Sequence, residues 1–205
     1  MDDSATKFGY AFYLSFFFRN ILKLEQKFQQ ITLKKIAKPY TVGDFCMGNC
    51  LAISVGCCPF SKIDTELREE RKLACSIGLE SGFFSSVQAH RILNTFNGYH
   101  VNQLRRIGHL LVGEFGNAPH CSLIIVDIDQ SVRSTYAQKR EGATTGKNQK
   151  YGQNCLQWSV AFSQGEVIDQ QLKEGYRHCI DDLKERYHSS KKILGRIDIL
   201  RIDGG

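Results

Sequence analysis

Residues 123–129, Leu-Ile-Ile-Val-Asp-Ile-Asp, constrain the fold of this chain more than any other stretch. On a strand the side-chain period is two, so Leu123, Ile125, Asp127 and Asp129 share one face while Ile124, Val126 and Ile128 fill the other. Both faces begin apolar, the pattern of a buried central strand. Its carboxylates are expected at the C-terminal end, where an open α/β sheet usually carries its chemistry. The alternative is a strand end whose aspartates cap the next turn. A second stretch, residues 197–205, repeats the design: an apolar strand, an aspartate (Asp203), then two glycines. Two such strands side by side would crowd like charges that repel unless a cation holds them, which suggests a divalent metal site.

The chain around these strands is long enough, at 205 residues, for a sizeable core. Its net charge of +6 is compatible with a polyanionic partner without establishing one. The eight cysteines show no C-x-x-C pair and no histidine at zinc-finger spacing, so they read as free thiols buried as small apolar residues, in a reducing, cytoplasmic compartment. The apolar run Tyr10 to Phe18 is shorter than the ~20 residues that span a bilayer and follows an acidic start, so no membrane partner is expected.

Residues 1–116 carry helical spacing. Helices are expected over about 9–30, 42–55 and 65–74, and then from 85, where Ser85 and Gln88 have capping-box spacing. After Asn97-Gly98 another helix places Val101, Leu104, Ile107 and Leu111 on one face, with Arg105 and Arg106 on its flank. This helix pair either packs plainly or sets Arg91, Arg105 or Arg106 against DNA phosphates. At Gly116-Asn117-Ala118-Pro119 the character changes, and residues 120–205 read as an α/β unit. Residues 132–154 look like a polar loop or hairpin with the cations Arg133, Lys139, Arg140, Lys147 and Lys150 against the lone acid Glu141. Such a loop beside carboxylates suits a phosphodiester substrate, or is simply a soluble surface loop. A hairpin turning at Gln164-Gly165, a helix over 175–189 and the Asp203 strand follow. Asp169, Asp181, Asp182 and Asp198 read as surface residues.

The order of strand ending in Asp, hairpin, helix, strand ending in Asp resembles the catalytic domain of DDE-class insertion-sequence transposases, which are RNase H-like. Three motifs carry the resemblance. Val126-Asp127-Ile128-Asp129-Gln130-Ser131 is similar to the family's first-aspartate strand, with Ser131 at the +2 position. Tyr136, Glu141-Gly142-Ala143, Gly146-Lys147-Asn148 and Lys150-Tyr151-Gly152 resemble the polar insert of one branch. Arg201-Ile202-Asp203-Gly204-Gly205 resembles the second-aspartate strand. Ala137, Lys147 and Gly204 stand where the family usually has Gly, an aromatic and Ser.

The resemblance implies an incomplete RNase H-like α/β catalytic domain behind a helical N-terminal region. It implies Asp129 and Asp203 as catalytic, metal-binding residues with Asp127 in reserve, Mg2+ (or Mn2+) as cofactor, and DNA as partner, with a homo-oligomer compatible. The activity implied is DNA cleavage and strand transfer by in-line attack at phosphorus. The family's catalytic Glu follows on a later helix beyond Gly205, so the expectation is a truncated chain with weak or absent activity. A DNA-binding remnant without catalysis, or another RNase H-like nuclease, are the other readings.

Overall fold

The structure, a computed structural model, describes residues 6–33, 39–135, 141–145, 153–176 and 179–202, with no description of the side chains of residues 179 and 181. The chain divides into two compact units, Met1–Ile107 and Gly108–Gly205. The division falls inside the helix Gly98–Phe115 rather than at the expected 116–119 stretch, and Val112 of that helix packs against the sheet's core.

In the first unit, α1 (Ala11–Phe16) runs into a π-helical turn (Phe17–Ile21), followed by α2 (Leu24–Phe28), α3 (Val42–Ser54) and α4 (Phe60–Lys62). A second π turn (Ile63–Leu67), α5 (Arg71–Ser76), α6 (Ser86–Leu93) and α7 (Gly98–Phe115) complete the helices. The Ser85–Gln88 capping box is present: the serine hydroxyl accepts from Gln88 N (3.2 Å) while Ser85 N donates to the Gln88 side chain (2.8 Å). Thr41 and Asp44 form an equivalent box at the start of α3. Each satisfies two backbone N–H groups that a helix start leaves without partners. The α7 start is held by Asn97, whose side-chain oxygen accepts from Tyr99 N at 3.0 Å.

Phe45, Met47 and Leu51 of α3 are buried, and the Phe45 ring lies 5.0 Å from that of Phe84. Gly48 is required there, because a Cβ would stand 2.6 Å from the Phe84 ring.

The second unit is a mixed α/β layer. Its strands are β1 (Ile125–Thr135), β2 (Asn154–Ser163), β3 (Glu166–Glu174) and, after α8 (Cys179–Leu194), β4 (Ile199–Ile202). The sheet order is β3-β2-β1-β4. β1 pairs antiparallel with β2 and parallel with β4, with Ile128 opposite Ile202. The two strands singled out in the sequence are therefore neighbours.

The period of two holds along β1. Ile124, Val126 and Ile128 are buried with Ala118, Ala161, Ile168 and Leu194, each burial stabilising the fold by roughly 1.5–3 kcal/mol. α8 and the end of α7 cover that face, with Leu183 and Val112 packed against it. Leu123 is exposed, so the expectation of burial on both faces holds for one only. The β2–β3 turn falls at Gln164-Gly165, where φ is +52° and +79°, as a two-residue hairpin turn matched to strand twist demands.

Carboxylates tie the segments preceding and following the strands. Glu166 accepts from the backbone N–H of Asn117 (2.8 Å) and Ala118 (3.1 Å). Asp198 accepts from Ile124 N at 2.8 Å and from Arg196 at 3.2 Å. The Ile124 backbone N–H, then Arg196, hold the Asp198 carboxyl below its ordinary range.

Three expectations need correction. β1 does not end at its aspartates: it continues six residues past Asp129, because residues 130–135 pair with residues 154–159 of β2. Arg133 therefore sits on a strand, opposite Leu156, not in a loop. Asp169 and Asp182 are not surface residues but 2% exposed each, held by cations from neighbouring elements.

Candidate functional site

The face of the sheet away from α8 carries the residues that the sequence singled out. Strand parity places Asp127, Asp129, Ser131 and Arg133 of β1 there, with Trp158, Val160 and Phe162 opposite them on β2 and Arg201 opposite Asp127 on β4. Backbone pairing fixes these positions, so the spacing along the strand, about 3.3 Å per residue, sets how far apart the groups lie.

The two aspartates of β1 have different surroundings. Arg201 reaches Asp127 with both arms of its guanidinium, Nε at 2.5 Å from Oδ1 and Nη2 at 2.7 Å from Oδ2. That fork holds the Asp127 carboxyl below the usual carboxylate range. Asp129, two residues on, is exposed, and its Oδ2 accepts one long hydrogen bond from the Ser131 hydroxyl at 3.4 Å. β4 is described as far as Ile202, opposite Ile128. Of the two carboxylates, Asp129 is the one open to a ligand, and the reserve candidate Asp127 is already neutralised.

Farther along the same face, the Arg133 guanidinium lies over the Trp158 ring, 4.7 Å from its centroid. The Trp158 indole N–H donates to the Gln170 side chain at 3.2 Å. The stacking holds the cation on the carboxylate side of the sheet, about 13 Å along the strand from Asp129.

No family model, curated protein or solved structure matches this chain.

Asp203, Lys139, Arg140, Lys147 and Lys150 lie outside the described residues. Arg105 and Arg106 are on α7 within the helical unit, Arg105 half-buried and Arg106 exposed. Among the described residues no group of three or more His, Cys, Asp or Glu side chains is gathered as a metal centre would need. With Asp127 engaged by Arg201, Asp129 alone does not make such a site. Among the described residues no helix is long and apolar enough to cross a membrane.

Sequence reasoning missed a second polar cluster, on the covered face. Asp169 of β3 receives Arg186 Nη1 of α8 at 2.5 Å and lies 2.8 Å from His109 Nε2 of α7. Arg186 also donates to Gln171 and to Glu185, and Lys173 lies 3.6 Å from Asp182. Asp169, Arg186 and Asp182 are almost wholly enclosed, with His109 and Glu185 at the margin, so the cluster joins three elements of the unit rather than meeting a ligand. The available signal was Asp169 itself, an acid directly after the apolar Ile168, which the β2–β3 register skips between the Ala161–Asp169 and Phe162–Val167 pairs.

Proposed function

We propose that the chain is a DDE-class, DNA-handling transposase and that its second unit is the β3-β2-β1-β4 portion of an RNase H-like domain. The observation that carries this reading is the placement of β4. After a single helix crossover it returns parallel to β1, on the side away from the β2–β3 hairpin, beside the strand that carries Asp129. Folding alone does not require an exposed aspartate in the middle of a central strand.

In this reading Asp129 and Asp203, which follows Ile202 directly in sequence, converge at the parallel β1–β4 edge, and Asp127 is a structural partner of Arg201. A divalent ion held by the two aspartates would stabilise charge at a reacting phosphodiester. The described donors do not by themselves make that site, and Asp129 with Asp203 would be the residues that hold magnesium or manganese. Arg133, oriented by Trp158, and the cations Lys139, Arg140, Lys147 and Lys150 would hold the DNA backbone.

A second reading, a DNA-binding module without catalysis, is favoured by one observation: the engagement of Asp127 leaves Asp129 as the single open carboxylate of β1.

The experiment compares Asp129→Asn and Asp203→Asn with a chain in which Lys139, Arg140, Lys147 and Lys150 are changed to Gln. Manganese binding is followed by electron paramagnetic resonance, and DNA affinity is measured over a range of salt. The transposase reading expects the aspartate changes to abolish manganese binding and leave DNA affinity unchanged. It expects the loop changes to flatten the salt dependence by about 0.9 per lost phosphate contact in log–log slope. DNA binding that follows the loop, with no manganese binding in the unaltered chain, selects the non-catalytic module. A salt dependence indifferent to the loop overturns both readings.

A further inference from the structure

The helical run of α1 and the π turn that continues it, Ala11–Phe16 and Phe17–Ile21, carries apolar side chains on its outer side as well as its inner one. Ala11, Ser15 and Phe18 turn into the helical unit. On the opposite side Tyr10, Tyr13, Phe16, Phe17 and Ile21 are 53%, 81%, 62%, 43% and 45% exposed. A surface helix ordinarily turns a polar face to water. This helix instead sets four aromatic rings and an isoleucine there.

The π turn contributes to the arrangement. Its wider ring is closed by Leu22 N donating to Phe17 O at 3.0 Å, and it sets Phe16 and Phe17 outward together while Phe18 stays inside. Such turns recur where a helix serves a purpose beyond packing.

Charge and area narrow what covers this face. The only charged side chain between residues 10 and 21 is Arg19, and it is committed to Glu25 (3.2 Å) and to Ser76 O (3.3 Å). A lipid headgroup layer or a nucleic acid would be met by free cations along the helix. An uncharged aromatic stripe suits another protein surface of the same kind. Four aromatics exposed to this degree present roughly 600 Å2, close to the ~800 Å2 per partner of a standard interface.

The same surface also carries a recess. Beside the stripe is an open cleft of about 520 Å3 in which the rings of Phe12 and Phe16 stand among the polar side chains of Ser15, Arg19, Glu25 and Ser76. Tyr13, the most exposed aromatic of the stripe, has an apolar ring and a polar tip to match it. A two-fold interface needs a knob and a hole on one patch.

We propose that this face pairs two copies of the chain, helix 10–21 against helix 10–21, with the partner's Tyr13 entering the cleft. The inference is independent of the transposase reading.

Sedimentation velocity over a concentration series, on the full chain, tests it. The expected result is a dimer that Tyr13→Lys and Phe17→Lys each weaken at least about tenfold. Leu172→Lys, at an exposed site on the sheet unit, should leave it intact, with circular dichroism unchanged in all three. A monomer at about 100 µM, or oligomers whose size ignores Tyr13→Lys and Phe17→Lys, overturns the proposal. So does flotation of monomer with phosphatidylcholine–phosphatidylglycerol vesicles that Tyr13→Lys abolishes, since the face would then serve lipid.

Discussion

Arg201 closes on Asp127 across the parallel β1–β4 pair, two nitrogens meeting two carboxylate oxygens at 2.5 and 2.7 Å. The pair joins the two strands at residues directly opposite each other in register, and it decides which aspartate of residues 127–129 stays available.

Its pH dependence follows from the lowered Asp127 pKa, caused first by the Arg201 hydrogen bond. A carboxylate depressed in the folded state adds stability above its unfolded value of about 3.9. That contribution is lost as pH falls through the folded value, below 3.9. Asp127→Asn should therefore lower stability near neutral pH and make no difference once the pH is below the folded value. Urea unfolding of both proteins across that range checks it, and a deficit that persists at low pH would count against the pairing. Arg201→Gln should return the Asp127 carboxyl toward about 3.9, read by carboxyl carbon NMR.

The buried cluster on the other face should behave differently. The Arg186 and Asp169 side chains are both fully enclosed, so removing one leaves an uncompensated charge in the interior. Arg186→Met should cost about 3–5 kcal/mol. Adding Asp169→Leu to Arg186→Met should recover a large part of that loss, because an apolar pair of similar volume carries no stranded charge. Additive losses in denaturant unfolding of the single and double variants would refute this coupling.

Gly175 is set by close approach. A Cβ there would run into the Cys155 carbonyl oxygen and stand 2.9 Å from its carbon, both backbone atoms that cannot rotate away. The Gly175 carbonyl also accepts from the Gln157 side chain at 3.2 Å. Gly175→Ala should destabilise the protein by more than about 2 kcal/mol. Thermal unfolding would show it, and an unchanged melting temperature would mean that the β3 end is not held in this way.

The thiols divide by burial. Burial pushes Cys46 up to about 12 and Cys50 to about 11, leaving little nucleophilic thiolate near neutral pH. Cys58 and Cys75 are exposed, a departure from the expectation that the cysteines are buried. Iodoacetamide on the native protein should alkylate Cys58 and Cys75 first and reach Cys46 and Cys50 only on unfolding. Peptide mapping that finds Cys46 modified early would contradict the α3 packing.

Much of the local structure was legible in the residue order. Ser85 with Gln88 announced a helix start, Gln164-Gly165 a tight hairpin turn, and the alternation of Ile124, Val126 and Ile128 the buried face of β1. Each signal acts over a few residues, through backbone geometry and side-chain period, so the sequence by itself determines it. What only the tertiary structure decided involves partners far apart in the chain. Arg201 lies 74 residues from Asp127 and neutralises it, leaving Asp129 open. Asp169 is drawn inside by Arg186 and His109 from two helices, although its sequence neighbourhood reads as exposed hairpin. The continuation of β1 to Thr135, which moves Arg133 from loop to strand, depends on residues 154–159 pairing with it. A carboxylate's availability is set by the charge that folding brings beside it, and no local period records that.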